Sequence, residues 1–209
     1  MVNRVYLVRH GMRLNLELPD WAKTAARPHD SPISETGVRQ AMETAQYLRG
    51  RGIRHLFASP FYRTLQTAHA IAEALDLRIN VEYGLFEWLN PAWIPEFPAI
   101  IAPDEAAAVF PRINPHYWSY SGPGFPEPDE NVHVYSRVKP AIDGIVEDYD
   151  GAIAIVGHGA SMHQTARSLV DPPTGFIRKM CAVNQLDRQQ DGSWRLVHST
   201  TEHLSFSEA

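Results

Sequence analysis

The sequence predicts an α/β protein: a mostly parallel, doubly wound sheet flanked by helices, with a lid rich in proline and aromatic residues inserted over about residues 91–128. Three observations carry that expectation. Short, continuous apolar runs at 5–8 and 152–156 have the character of strands buried on both faces of a sheet. Stretches with apolar residues at helical spacing alternate with such runs, as right-handed βαβ units require. Near the C-terminus, Asp191-Gly192 separates two strand-like stretches, about 180–188 and 194–199, and so adds an antiparallel pair.

Taken in order, the first run, Val5-Tyr6-Leu7-Val8, ends at Arg9-His10-Gly11, which places these three at a strand's carboxyl end, where open α/β sheets bind ligands. Ser34 is positioned to cap a helix whose apolar face is Val38, Ala41, Met42, Ala45 and Leu48, and Gly50 and Gly52 stop it. A short strand over 55–58 follows. Ser59-Pro60 then reads as an N-cap with proline at the first helical position. That helix carries Leu65, Ala68, Ile71, Ala72 and Leu75 on one face and Arg63 in its first turn, where the N-terminal amides already favour an anion. A third strand is expected over 79–81. The 91–128 insert holds more than half of the chain's 16 prolines, and a weak helical pattern near 104–110. Val134, Val138, Ala141, Ile142, Ile145 and Val146 mark another amphipathic helix, and the strand over 152–156 ends at Gly157-His158-Gly159 before a helix over 160–170. One domain over 1–209 is expected, with no internal repeat.

Composition narrows the function classes. A net charge of −5 gives no basic surplus for nucleic acid, so an anionic ligand has to be held by a local cluster of Arg and His. Cys181 is the only cysteine and cannot form an internal disulfide, which points to a reducing compartment, most simply the cytoplasm. Residues 1–9 read as a strand rather than a leader, and no apolar run approaches the roughly 18 residues a membrane span needs. No membrane or nucleic-acid partner is expected.

The chemistry lies in two strands that each end in a glycine-flanked histidine, His10 and His158. Strands of one parallel sheet end on the same edge, so both imidazoles face one pocket, with Arg9, Arg13 and Arg63 within reach. Guanidiniums converging there suit an anion, above all a phosphate held bidentately. Other motifs fail. His158 and His163 are five apart, not the four that aligns two ligands on a helix face, and there is no His-Glu-x-x-His, so no metal site is expected. Gly159-x-Ser161 lacks the second glycine of a nucleophile elbow, and no Walker-type loop occurs.

Val8-Arg9-His10-Gly11 resembles the signature of the histidine phosphatase (phosphoglycerate mutase-like) superfamily. Three further stretches resemble its motifs in order: Pro32-Ile33-Ser34-Glu35-Thr36-Gly37 with Gln40-Ala41, Ser59-Pro60 with Arg63 and Gln66-Thr67-Ala68, and Gly157-His158-Gly159. A narrower likeness joins Arg9 to Arg13, Val81 to Trp88, Ala92-Trp93-Ile94-Pro95 and Arg178-Lys179-Met180 to the phosphatase domain of the TULA group, which includes tyrosine phosphatases and insect ecdysteroid-phosphate phosphatases. Met12 stands where those relatives carry Glu, and the 209 residues hold no counterpart of the TULA binding domains, which argues against a signalling role.

The resemblance implies a cofactor-free phosphatase. His10 would attack phosphorus and become phosphohistidine. Arg9, Arg63 and His158 would hold the equatorial oxygens, with Arg13 as a fourth donor. Glu87 would protonate the leaving oxygen and then activate water, with Phe86 and Trp88 desolvating the carboxyl and raising its pKa; Glu82 is the substitute acid. Trp88, Trp93 and Trp118 are candidates to line a pocket for a bulky apolar or aromatic leaving group, as in an aryl phosphate, phosphotyrosine or a steroid phosphate. The alternatives are a phosphoglycerate-type mutase, against which Arg112 is the insert's only Arg or Lys, and a catalytically quiet phospholigand-binding module. A homodimer is what the TULA likeness implies for assembly.

Overall fold

The computed structural model describes residues 1–206. In chain order its elements are β1 (Val2–Arg9), α1 (Leu14–Glu17), α2 (Glu35–Leu48), β2 (Ile53–Ala58), α3 (Tyr62–Leu75), β3 (Ile79–Val81), α4 (Pro103–Val109), α5 (Tyr135–Asp148), β4 (Gly151–Gly157), α6 (Gly159–Leu169), β5 (Val183–Arg188) and β6 (Trp194–Thr200). A π-helical turn, Glu130–Val134, leads into α5. The six strands form one sheet in the order β3-β2-β4-β1-β5-β6. The first four are mutually parallel, and β5 runs antiparallel to both β1 and β6.

Alternation along the strands builds a core on each face. Tyr6, Val8, Leu56, Ala58, Ala154 and Val156 meet Ala45 and Leu48 of α2 and Leu65, Ala68 and Ile71 of α3. Val5, Leu7, Phe57, Ile153 and Ile155 meet Val138, Ile142 and Ile145 of α5 and Met162 and Ala166 of α6. This is the doubly wound, mixed-edge sheet that the pattern predicts, and the register sets up the site. Arg9 pairs with Gly157 and Ala58 with Val156, so His10, His158 and Ser59 emerge together at one sheet edge.

Several local expectations are revised. Ser59-Pro60 does not start α3. The helix begins at Tyr62 with no side-chain cap of its own, and its Tyr62 amide donates instead to Asp30 Oδ1 at 2.7 Å. Ser59 is engaged elsewhere, by His158. On α2, Ser34 caps as expected, accepting from the Gly37 amide, but Val38 and Met42 are 43% and 63% exposed. The inward face uses Gln40 and Thr44 as well as Ala41, Ala45 and Leu48, because Gln40 Oε1 receives the Met12 amide at 2.8 Å and ties the helix to the loop after β1.

The helix expected near 104–110 is present as α4. Beyond it the insert covers the outer edge of the sheet: the Ile79 amide donates to Arg112 O and the Asn114 amide to Ile79 O, both at 2.8 Å. The fully buried Glu82 carboxylate anchors the next segment, accepting from the Tyr117 and Ser119 hydroxyls and the Tyr120 amide. No helix among the described residues is long and apolar enough to cross a membrane.

Candidate active site

At the carboxyl edge of β1 the His10 ring is buried, and its Nδ1 lies 2.8 Å from the Gly11 carbonyl. A carbonyl only accepts, so Nδ1 carries the proton and Nε2 keeps its lone pair. Burial, reinforced by the charges of Arg63 and Arg9, holds the His10 pKa well below the ordinary imidazole value. The ring is therefore neutral at neutral pH, which is the state a nucleophile needs. Gly11 is required by packing here: a Cβ would stand 2.6 Å from the Gly37 carbonyl at the start of α2.

His158, one residue beyond β4, is edge-on to His10 with ring centroids 5.3 Å apart. Its Nε2 is 2.8 Å from the Ser59 hydroxyl and its Nδ1 is 3.3 Å from Glu87 Oε2. Burial lowers its pKa to about 4 against the opposing pull of Glu87. Arg63, in the first turn of α3, is buried beneath Phe61, donates to His29 O at 3.1 Å and to Glu87 Oε2 at 3.2 Å, and has Asp30 4.0 Å away. Burial brings even this guanidinium down to about 10, partly offset by Glu87. Arg9 Nη1 is held at 2.7 Å by the Arg178 carbonyl.

The Glu87 expectation is corrected. Burial is the largest influence on this carboxyl and does act upward, as its Phe86 and Trp88 neighbours suggest. His158 and Arg63 outweigh it and hold the pKa well below the usual carboxylate range. Glu87 is thus held as an anion by these neighbours. Glu82 is no substitute for it, since both its oxygens are committed to the insert.

These groups open onto a cavity of about 580 Å³ whose wall includes Arg9, Arg13, Arg63, Glu87, Trp88, Trp93, Ile94, Glu130, Arg178 and Gly159. Arg9, Arg13, Arg63 and Glu87 are thereby brought together as expected, as are Trp88 and Trp93, whose rings meet edge to face at 4.9 Å. Trp118 is not brought there. It is 88% exposed and lies outside the cavity wall, while the side chains on either side, Tyr117 and Ser119, turn inward to donate to the Glu82 carboxylate.

Glu130 and Arg178 are the main wall residues that sequence reasoning did not single out as site groups. They bind each other through two hydrogen bonds, at 2.9 and 3.2 Å. The π-helical turn that carries Glu130 leaves no local sequence signal. One atom each from His10, Glu87 and His158 also lies within 4.8 Å of the other two, a spacing a metal ion can bridge. Arg9 and Arg63 beside them oppose a cation and favour an anion.

Residues 5–201 match the model of the histidine phosphatase superfamily, branch 1. The chain belongs to that superfamily.

Among relatives of this histidine phosphatase chain, it is 30% identical over 212 residues to the 55 kDa subunit of transcription factor tau of Saccharomyces cerevisiae, covering 94% of the chain and 47% of the subunit. The chain thus spans about half the length of that protein. It is also 30% identical over 195 residues to a probable phosphoglycerate mutase of Yersinia pestis, covering 90% of the chain and 86% of the mutase. The fold is shared with the ecdysone phosphate phosphatase of the silkworm Bombyx mori, solved with tungstate, at a TM-score of 0.75 and 22% identity over 94% of this chain and 92% of that one.

Proposed function

We propose that this histidine phosphatase is a phosphomonoesterase that acts through a phosphohistidine at His10 on an ester of a bulky apolar or aromatic alcohol. Phosphotyrosine, an aryl phosphate and a steroid phosphate are all of this class. The charge and shape of the cavity carry the reading. Its wall sets four arginines (Arg9, Arg13, Arg63 and Arg178) against two carboxylates (Glu87 and Glu130), a positive surplus suited to a phosphate ester anion. Beyond the phosphate groups, Trp88, Trp93 and Ile94 offer an apolar wall to a leaving group without charge.

In this mechanism a phosphate enters among Arg9, Arg13, Arg63 and His158 and takes over the Arg63 donor now turned to Glu87. Glu87 then faces negative charge in place of positive, its pKa rises, and it shares a proton with the substrate. Nε2 of His10 attacks phosphorus in line as Glu87 gives that proton to the departing oxygen. The carboxylate left behind takes a proton from water, whose oxygen breaks the phosphorus–nitrogen bond and frees His10. The guanidiniums supply the positive charge, so no metal ion is required. The lone, buried Cys181 suits the reducing cytoplasm in which we place the enzyme.

The likeness to a probable phosphoglycerate mutase favours a second reading, isomerisation. That substrate brings a carboxylate besides its phosphate, whereas Arg178, the arginine placed to meet it, is already paired with Glu130. The deciding experiment is acid-labile phosphate labelling of wild type and His10→Ala by an aryl phosphate, with and without EDTA. Labelling and phosphate release by the wild type alone, unchanged by EDTA, support the proposal. Absence of both in the wild type ends it, and isomerisation of a phosphoglycerate as fast as phosphate release replaces it with the mutase reading.

A further inference from the structure

The backbone that carries Glu87 is gripped by a buried ion pair outside the phosphate-binding groups. Arg137, on α5, donates through Nε and Nη2 to the two carboxylate oxygens of Glu127 at 2.5 and 3.1 Å. Both side chains are buried. The remaining Arg137 donors go to the acid's own segment: Nη1 to the Gly84 carbonyl and Nη2 to the Glu87 carbonyl, each at 2.8 Å.

Glu127 closes the grip from the other side. Its Oε2 receives the Leu89 amide at 3.0 Å, its amide donates to the Leu89 carbonyl at 3.0 Å, and its carbonyl takes the Trp88 indole N–H at 2.6 Å. Residues 84–89 thus have three carbonyls, an amide and an indole fixed by two residues, one on α5 and one at the end of the insert.

We infer that Arg137 and Glu127 are positioning residues that set the Glu87 carboxyl for proton transfer, and that through them the insert is coupled to the acid–base half of the reaction. The inference rests on reading Glu87 as the acid and base. A buried pair is costly unless its hydrogen bonds are satisfied, and this one spends its donors on the segment that carries the acid. None of these bonds reaches His10, Arg9 or Arg63, so phosphate capture does not depend on them. A shift of about 1 Å in a catalytic group is enough to cost on the order of 10²-fold in rate.

The test compares kcat/KM for p-nitrophenyl phosphate, whose leaving group departs without a proton, with phenyl phosphate, whose leaving group needs one. Wild type, Arg137→Lys, Glu127→Gln and Glu87→Gln are measured together, with Tm as a check on folding. Glu87→Gln is expected to lose about 10²-fold more on phenyl than on p-nitrophenyl phosphate.

Arg137→Lys and Glu127→Gln are expected to show the same selectivity at about tenfold, a part of the general-acid effect. On p-nitrophenyl phosphate their kcat and KM fall together, because hydrolysis of the phosphohistidine also uses Glu87. If Arg137→Lys does not fold, Glu127→Gln, which keeps an oxygen for the Leu89 amide, carries the comparison. Equal losses on both esters, or none, in the clamp variants while Glu87→Gln stays selective overturn the positioning role. An unselective Glu87→Gln overturns the acid–base reading itself, and the inference with it.

Discussion

The Ser59 hydroxyl lies 2.8 Å from Nε2 of His158, and both side chains are fully buried. Among the described residues His158 is the one side-chain partner of that hydroxyl. A buried O–H that only accepts would leave its own proton unsatisfied, so Ser59 donates and Nε2 accepts. The proton of neutral His158 then sits on Nδ1, 3.3 Å from Glu87 Oε2, and in the proposed mechanism that N–H serves a phosphate oxygen. Ser59→Ala releases the tautomer. Inhibition by inorganic phosphate or tungstate is expected to weaken about tenfold, the worth of one hydrogen bond of about 1.4 kcal/mol. An unchanged inhibition constant would show that Ser59 does not orient His158.

Ser59 also shows where the sequence stops being legible. The Ser-Pro pair carries a valid local signal for a helix start, but the register of β2 against β4 delivers Ser59 to the edge where a buried imidazole needs a donor. The cap of α3 falls to Asp30, 32 residues away from Tyr62, and no local pattern announces a partner at that range. Arg137 and Glu127 are hidden as well, because a charged residue on an amphipathic helix or in a loop ordinarily faces water. Val38 and Met42 match helical spacing, yet the inward face of α2 is decided by Gln40 and Thr44, whose partners lie across the fold. What could be read, His10, His158, Arg9 and Arg63, depends on strand ends and a helix start, which apolar runs and glycines do mark.

The acid limb and the basic limb of activity have different origins. The pKa of His158 is lowered to about 4, and that of His10 is held well below its ordinary value, so both rings stay neutral until the medium is distinctly acid. In the proposed mechanism protonation of His10 removes the nucleophile. Protonation of His158, setting in as pH falls through about 4, disturbs the phosphate site, so activity is lost only in distinctly acid medium. On the other side, Glu87 enters as an anion, so the proton for the leaving group has to come with the substrate, whose second phosphate ionisation lies near about 6. We expect kcat/KM for an alkyl or phenyl phosphate to peak between these limits and to fall about tenfold per unit above about pH 6. A profile flat to pH 8 would show that Glu87 is protonated in the free enzyme.

Gly37 holds α2 against the loop that carries His10. A Cβ there would stand 2.3 Å from the Met12 carbonyl and 2.8 Å from the Ile33 side chain. The first contact is with backbone, which has no rotamer to yield. Gly37→Ala therefore has to push the 11–13 loop away from the helix, at a cost of about 1–3 kcal/mol typical of overpacking. Both a lower Tm and a weaker phosphate inhibition are expected, since the displaced loop includes Arg13. A variant with wild-type Tm and inhibition would mean that the loop gives way freely.

The two exposed tryptophans of the insert separate surface from site. Trp93 is 63% exposed, yet it lines the cavity and meets Trp88 edge to face at 4.9 Å, so a flat leaving group can extend that aromatic contact. Trp118 is 88% exposed and is not part of that cavity's wall. Trp93→Ala is expected to raise KM for a naphthyl phosphate about five- to tenfold, the effect of losing an aromatic pair worth about 1–1.5 kcal/mol. Inorganic phosphate, which lacks a leaving group, should inhibit that variant as it does the wild type. Trp118→Ala should leave both constants within about twofold, as surface substitutions usually do. If Trp118→Ala raises KM and Trp93→Ala does not, the leaving group lies over the outer face of the insert, and the wall of Trp88, Trp93 and Ile94 is not the specificity surface.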